Sequence, residues 1–149
     1  MRAVVQRVLQ SRVEVNGQQI SQIGKGLLVY LSVSRTDTLK DAQFIADKLV
    51  NLRIFADEAG KMNRSLLDVG AGILLVSNFT LHGDCLKGRR PSFDAAAEPK
   101  AAQQLYEKLI SLIAEQGVTV EKGAFGEHMQ VSSINDGPVT FLLDSSRLF

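Results

Sequence analysis

The chain is poor in the residues on which much hydrolytic and metal chemistry depends. Its 149 residues include one cysteine, two histidines, three prolines and no tryptophan. The single Cys85 excludes an internal disulfide and fits a reducing compartment. Histidine and cysteine are too scarce to complete a zinc ligand set, and neither a GxGxxG nor a Walker A pattern is present. We therefore expect neither a metal ion nor a cofactor.

Long apolar runs are also missing. No stretch approaches the roughly 18 apolar residues of a membrane span, and residues 1–8 contain no long apolar segment typical of a signal peptide. The expectation is a cytoplasmic protein without a membrane partner. The net charge is only +1, so any nucleic-acid binding must come from a local patch. The length predicts one domain over residues 1–149.

The hydrophobic pattern predicts a mixed α/β domain that is richer in strand than in helix. Helical spacing of apolar residues predicts two main helices packed on β-sheets, one over 38–51 and one that begins at Pro99 and ends before Gly117. Asn16-Gly17 predicts a tight hairpin, and residues 82–97 are expected to form a loop. Strands are predicted at 2–9, 13–15, 18–23, 26–33, 72–76 continuing into 77–81, 118–121, 129–134 and 139–143.

A Gly-Pro step interrupts the last of these strands. Proline has no backbone N–H, so Gly137-Pro138 should break the pairing within Asn135–Thr140. Such a corner leaves backbone carbonyls uncovered, and rigid carbonyls can select the shape of a ligand. On this segment alone, a simple hairpin turn is the more economical interpretation.

A second polar segment, Ser77–Leu81, follows a predicted buried strand. Backbone N–H groups released at a strand end can form an oxyanion hole, although alone the segment also fits an ordinary strand with a polar face. No G-x-S-x-G elbow is present, which disfavours a serine triad. A cysteine hydrolase would have to pair Cys85 with a histidine such as His82.

Taken together and in order, the segments resemble the D-aminoacyl-tRNA deacylase family along essentially the whole chain. The two signatures of that family, S-Q-x-T-L and N-x-G-P-V-T, correspond to Ser77–Leu81 and Asn135–Thr140. Further matching segments are residues 1–8, 26–29, 52–55, 60–63, 90–93 and 129–131.

The resemblance implies an enzyme that hydrolyses the ester between a D-amino acid and the terminal ribose of tRNA. It implies a homodimer with active sites at the subunit interface. A cis Gly137-Pro138 bond would enter the partner's site, where its carbonyls would reject L side chains. Glycine has no side chain to reject, so glycyl-tRNA should also be a substrate. The resemblance further assigns Met129 and Arg7 to substrate binding.

For catalysis, the resemblance points to Ser77, Asn78, Phe79 and Thr80. Thr80 could be a nucleophile, or the ribose 2′-OH could assist while backbone N–H groups near Phe79 and Thr80 hold the substrate. We prefer the second mechanism because no base in the sequence is placed beside Thr80. Asn78 stands where the family signature has Gln, so the side chain that carries the amide is shorter by one methylene.

Three cations in the predicted loop, Lys87, Arg89 and Arg90, are candidates for contact with tRNA phosphates. A solvated loop without a partner is the simpler interpretation of such a cluster. The alternative for the whole chain is a non-catalytic RNA-binding module of the same fold, and the Asn78 departure is what favours it.

Overall fold

The computed structural model describes residues 1–148 and consists of a six-stranded sheet, a two-stranded ribbon and three α-helices. The elements in chain order are β1 (Arg2–Val15), β2 (Gln18–Ile23), β3 (Gly26–Ser32), α1 (Leu39–Asn51), β4 (Phe55–Ala56), β5 (Met62–Arg64), α2 (Leu66–Val69), β6 (Gly72–Ser77), a 3-10 turn (Phe79–His82), α3 (Pro99–Ala114), β7 (Val120–Lys122) and β8 (Gln130–Asp144). The mixed, strand-rich α/β class with two main helices is confirmed.

Strand β1 is the centre of the large sheet. The strand order is β2-β1-β3-β6-β7, and β8 also pairs with β1. All partners of β1 are antiparallel to it, whereas β3, β6 and β7 run parallel to one another. The β1–β2 hairpin turns at Asn16 and Gly17, whose φ angles of 51° and 77° fit the predicted tight turn.

The core lies between one face of the sheet and the two main helices. Leu27, Val29 and Leu31 alternate along β3 toward this face, and Ile45 of α1 and Leu109 of α3 pack in the same cluster. The intervening Leu28 lies in a smaller cluster on the opposite face, together with Val8 of β1. Because both faces of β3 are covered, its sequence is continuously apolar, as predicted.

The interpretation of 129–134 and 139–143 as separate strands joined by a hairpin turn was wrong. Both segments belong to the one strand β8, which pairs with β1 from Arg2↔Asp144 to Glu14↔Gln130. The register shifts between Gln6 and Val8, where residues 136–139 bulge out of the ladder. The Gly-Pro step therefore breaks the pairing locally, as predicted, but the chain continues in the same direction.

Other boundaries also differ from the predictions. Residues 2–15 form one strand instead of two, and β7 begins at Val120, two residues later than predicted. The segment 77–81 is not a continuous strand, because β6 ends at Ser77 and the chain turns at Phe79. The short helix α2 and the β4–β5 ribbon were not predicted as elements, although a turn over residues 57–60 was.

Candidate active site

The 3-10 turn at the end of β6 presents two unpaired backbone donors. Asn78 N–H donates to Leu31 O at 2.7 Å, which ties the start of the turn to β3. Leu81 N–H donates to Asn78 O at 3.3 Å and Gly83 N–H to Thr80 O at 2.9 Å. Within residues 1–148 the N–H groups of Phe79 and Thr80 have no such acceptor, because the first donors of a helical turn lack intrahelical partners. Both N–H groups belong to the segment that the sequence predicts as a source of backbone donors.

A cavity of about 590 Å³ opens beside this turn. Its walls come from β3, the end of β6, the segment before α3, α3 itself and the segment before β8. The lining residues are Leu31, Ser32, Val33, Ser77, Asn78, Phe79, Phe93, Ala96, Ala97, Glu98, Pro99, Ala102, Tyr106, Phe125, Gly126, Glu127 and Met129. The structure thus brings four predicted site residues together: Ser77, Asn78, Phe79 and Met129.

Two exposed aromatic rings border this cavity. Phe79 is 58% exposed and Phe93 37%, and their centroids lie 5.0 Å apart in an edge-to-face arrangement. Tyr106, which also lines the cavity, is in contrast buried, and its hydroxyl donates to Leu75 O at 2.8 Å. Burial raises the pKa of Tyr106 well above its ordinary value, so its hydroxyl remains neutral. The site therefore combines an apolar wall with accessible aromatic surface.

Thr80 is paired with an amide, and not with a base. Its Oγ1 donates to Asn78 Oδ1 at 2.5 Å. An amide oxygen is too weakly basic to take the proton of a hydroxyl. The contact therefore orients the Asn78 amide and leaves Thr80 without an activating partner among the hydrogen bonds described for residues 1–148.

The buried side of the turn is held by side chains of β1 and β3. Ser32 Oγ lies 3.3 Å from Phe79 O and 2.6 Å from His82 Nδ1. Arg2 donates to Leu81 O at 3.1 Å and pairs with Asp144 at 3.0 Å. Burial lowers the pKa of His82, and the positive charge of Arg2 adds to this effect. His82 is thus engaged structurally, whereas Cys85 is exposed, which leaves the cysteine hydrolase without a supporting contact.

The bulge of β8 is a second, separate feature. The Gly137-Pro138 bond is cis, and neither residue lines the cavity of its own chain. Asn135 closes the bulge: its Oδ1 accepts from Val139 N–H at 2.8 Å, and its Nδ2 donates to Thr140 Oγ1 at 3.2 Å. The bulge is therefore held by its own flanking residues.

Arg7 also holds this bulge. It lies in the middle of β1. Its guanidinium is 3.1 Å from both the carbonyl and a carboxylate oxygen of Asp136, and it donates to Ile54 O at 2.6 Å. The side chain is only 14% exposed. Arg7 consequently links the bulge to the segment that precedes β4.

The cations Lys87, Arg89 and Arg90 lie in an exposed loop near Phe93. Asp84 and Ser92 close the base of this loop through reciprocal backbone hydrogen bonds of 2.7 and 2.9 Å. These cations do not line the cavity, but they lie on the segment that precedes Phe93, which does line it.

The sequence interpretation missed Tyr106, Phe125, Glu98 and Glu127, which line the cavity, and the roles of Ser32 and Ile54. Tyr106 follows the apolar face of α3 and could have been found from its spacing. Within the part of the chain that the structure describes, no group of three His, Cys, Asp or Glu side chains is arranged to hold a metal ion. No helix among residues 1–148 is long and apolar enough to cross a membrane.

Comparison with known proteins places these features in a family. The sequence model described as D-Tyr-tRNA(Tyr) deacylase matches residues 4–144. Proteins named D-aminoacyl-tRNA deacylase from Bacillus licheniformis and Clostridioides difficile are similar, with 57% identity over 97% of this chain and 99% of the relative, and 55% identity over 100% of both chains, respectively. A solved structure described as c-Myc DNA Unwinding Element Binding Protein superimposes with a TM-score of 0.91 and 41% identity, covering 97% of this chain and 98% of that one. The chain therefore belongs to the D-Tyr-tRNA(Tyr) deacylase family of enzymes.

Proposed function

We propose that the chain hydrolyses the ester bond of D-aminoacyl-tRNA and releases the free D-amino acid and tRNA. The observation that carries this proposal is the pair of free N–H groups of Phe79, which lines the cavity, and of its chain neighbour Thr80. Such donors stabilise the oxyanion that forms when an ester carbonyl is attacked, and each is worth roughly 3–4 kcal/mol in other enzymes.

The cavity suits the 3′ end of a charged tRNA. A volume of about 590 Å³ accommodates a nucleoside with an aminoacyl group, and not a folded RNA stem. Phe79 and Phe93 offer aromatic faces and edges to an unpaired base. Asn78, Ser77 and Met129 border the same space and would position the ester. The cations Lys87, Arg89 and Arg90 would contact phosphates of the acceptor stem.

The attacking group in this proposal does not come from Thr80. The Thr80 hydroxyl donates to Asn78 Oδ1, and no base accepts its proton. Water attacks the ester carbonyl, the bond between the carbonyl carbon and the ribose oxygen breaks, and that oxygen leaves with a proton as a hydroxyl of the free tRNA. We assign the assisting role to the ribose 2′-OH of the tRNA, which lies next to the ester in any aminoacylated 3′ end. The protein then contributes position and backbone donors.

Chirality is read by backbone carbonyls from a second subunit. Gly137 and Pro138 do not line the cavity of their own chain, so we propose a homodimer in which each bulge enters the partner's cavity. An L side chain would collide with the two carbonyls, whereas a D side chain would point away. Glycine presents nothing to reject, so glycyl-tRNA on a non-cognate tRNA is also a substrate. The enzyme would thus serve translation quality control in the cytoplasm, as a chiral proofreader.

The test is deacylation of D-tyrosyl-tRNA, L-tyrosyl-tRNA and glycyl-tRNA by the purified protein. We expect rapid loss of the D and glycyl esters while the L ester is spared. Equal turnover of the D and L esters would overturn the carbonyl filter. Retention of tRNA without turnover of any ester would instead favour the non-catalytic RNA-binding module, and would identify Asn78 as the first position to restore to Gln.

A further inference from the structure

A buried serine and histidine lie directly beneath the 3-10 turn, and the proposed reaction assigns them no role. Ser32 ends β3 with 1% of its surface exposed, and His82 ends the turn with 7% exposed. Ser32 Oγ is 2.6 Å from His82 Nδ1 and 3.3 Å from Phe79 O. The three groups form a short chain from the histidine ring to a main-chain carbonyl.

The proton positions in this series of hydrogen bonds follow from the number of donors and acceptors. A serine hydroxyl has one proton to donate, and a carbonyl oxygen can only accept. When Ser32 donates to Phe79 O, the hydroxyl must accept from His82, so the neutral imidazole carries its proton on Nδ1. Burial lowers the pKa of His82, which favours this neutral form.

The carbonyl that accepts from Ser32, Phe79 O, belongs to the same peptide unit as Thr80 N–H, one of the two free donors. A trans peptide is planar, and its C=O and N–H bonds point in opposite directions. The unit that carries Phe79 O on the buried side therefore carries Thr80 N–H on the opposite side. Arg2 donates to Leu81 O, two residues further along the turn, but that carbonyl belongs to the peptide unit of His82 N–H. Ser32 is therefore the side chain that sets the direction of Thr80 N–H.

We propose that His82 and Ser32 form a positioning pair that holds Phe79 O and thereby aims Thr80 N–H into the active site. The inference rests on the proposed function, because Thr80 N–H matters only if the site stabilises an oxyanion. Ser32 borders the cavity and His82 lies outside its lining, and both act on Thr80 N–H through one peptide unit. A donor misplaced by about 1 Å can lower a rate on the order of 100-fold.

Three variants test this pair. Ser32→Ala removes the hydroxyl with almost no change in volume, and His82→Leu removes the donor but keeps the branched shape. His82→Asn is the conservative variant, because its side-chain amide places an N–H near the position of Nδ1. Ser111→Ala serves as the control, since Ser111 is an exposed residue of α3.

Deacylation of D-tyrosyl-tRNA should separate positioning from folding. We expect Ser32→Ala and His82→Leu to lower kcat roughly 10- to 100-fold with little change in KM, because the lost interaction acts in the transition state. His82→Asn should recover most of kcat, and Ser111→Ala should match the unsubstituted enzyme. If His82→Leu does not fold, Ser32→Ala alone carries the kinetic test.

A second readout does not depend on activity. The Thr80 amide, followed by ¹⁵N NMR in the free protein, should shift in Ser32→Ala and in His82→Leu. In His82→Asn it should stay close to its position in the unsubstituted protein. An unchanged kcat in folded Ser32→Ala, or an unmoved Thr80 amide, would overturn the positioning pair. Failure of the unsubstituted enzyme to turn over any ester would overturn the proposed function instead, while a shifted amide would still establish the structural coupling.

Discussion

Thr80 illustrates how one hydrogen bond limits the chemistry of a residue. Its hydroxyl is committed to Asn78 Oδ1, so the side chain orients an amide that borders the cavity. The backbone N–H of the same residue has no acceptor within residues 1–148. The catalytic value of Thr80 should therefore lie in its main chain, which substitution of the side chain leaves in place.

Thr80→Ala should retain substantial deacylation of D-tyrosyl-tRNA, with kcat within about tenfold of the unsubstituted enzyme, because the backbone donors remain. The residual loss reflects freer rotation of the Asn78 amide. Single-turnover rates measure the chemical step directly. Near-total loss of activity in a variant whose melting temperature is unchanged would show that the hydroxyl is the nucleophile.

The side chain of Arg7 ties the bulge of β8 to β1, in addition to the contacts that Asn135 makes within the bulge. Arg7 contacts Asp136 within the bulge and Ile54 O outside it, and lysine cannot reproduce such a divergent set of donors. Arg12 lies further along the same strand, where its exposed guanidinium pairs with Glu14 at 3.1 Å. Arg12 is thus a matched control for Arg7, because it lies on the same strand but makes only an exposed ion pair.

Arg7→Lys should lower kcat for D-tyrosyl-tRNA on the order of tenfold, because the bulge loses its fixed position. Arg12→Lys should leave kcat unchanged, since exposed ion pairs contribute little. Steady-state kinetics on D and L esters in parallel would also report the chiral filter. Equal kinetics for the two variants would exclude a role for Arg7 in holding the bulge.

The attachment of the 3-10 turn to β1 and β3 predicts a pH dependence of stability. Burial and the positive charges of Arg2 and the N-terminal ammonium lower the pKa of His82, while Asp37 and Asp144 oppose them. Below the ordinary value near 6.5 the unfolded chain binds a proton that the folded chain resists. Stability should therefore fall as pH decreases from about 6.5 through the lowered pKa of the folded state.

The measurement is the melting temperature between pH 7.5 and 5 for the unsubstituted protein and for His82→Asn. The variant keeps the hydrogen bond to Ser32 but cannot titrate, so its decline over this range should be shallower. Parallel curves for the two proteins would mean that His82 does not contribute to the acid sensitivity.

Elements set by local signals were predictable from the sequence, and those set by distant pairing were not. Asn16-Gly17 specified its hairpin, and the apolar spacing of α1 and α3 specified both helices. The segment around Gly137-Pro138 has the local chemistry of a turn, but the long pairing of β8 with β1 keeps it extended. The cations near the site were found as a cluster, whereas the role of Arg7 depends on residues 47 and 129 positions away.

At the scale of the whole molecule, one chain holds both parts of the proposed site without joining them. The cavity contains Asn78 and Phe79, whereas Gly137 and Pro138 lie outside its lining. A dimer with exchanged bulges would complete two sites at once. Gly137 is sensitive to substitution, because a Cβ there would lie 2.6 Å from Val139 Cγ2.

Subunit mixing should therefore restore activity. Gly137→Ala damages only the bulge, and Ala102→Phe fills only the cavity, so each variant alone should be inactive. A co-expressed mixed dimer should have one site with an intact cavity and an intact bulge, and should show deacylation. Analytical ultracentrifugation checks that the protein is a dimer. A mixture that stays inactive, or a monomeric active enzyme, would place both parts of the site within one chain.

The pairing of β1 with β8 also has a consequence for how the protein is made. The side chains of Gln6 and Thr140 form a hydrogen bond across a sequence separation of 134 residues. The edge of β1 that pairs with β8 therefore stays uncovered until almost the entire chain has been synthesised. Contacts of such long range form slowly. An interrupted translation product would expose the β8-facing edge of β1 as a template for pairing with other chains. This enzyme would thus depend strongly on its own translation running to completion.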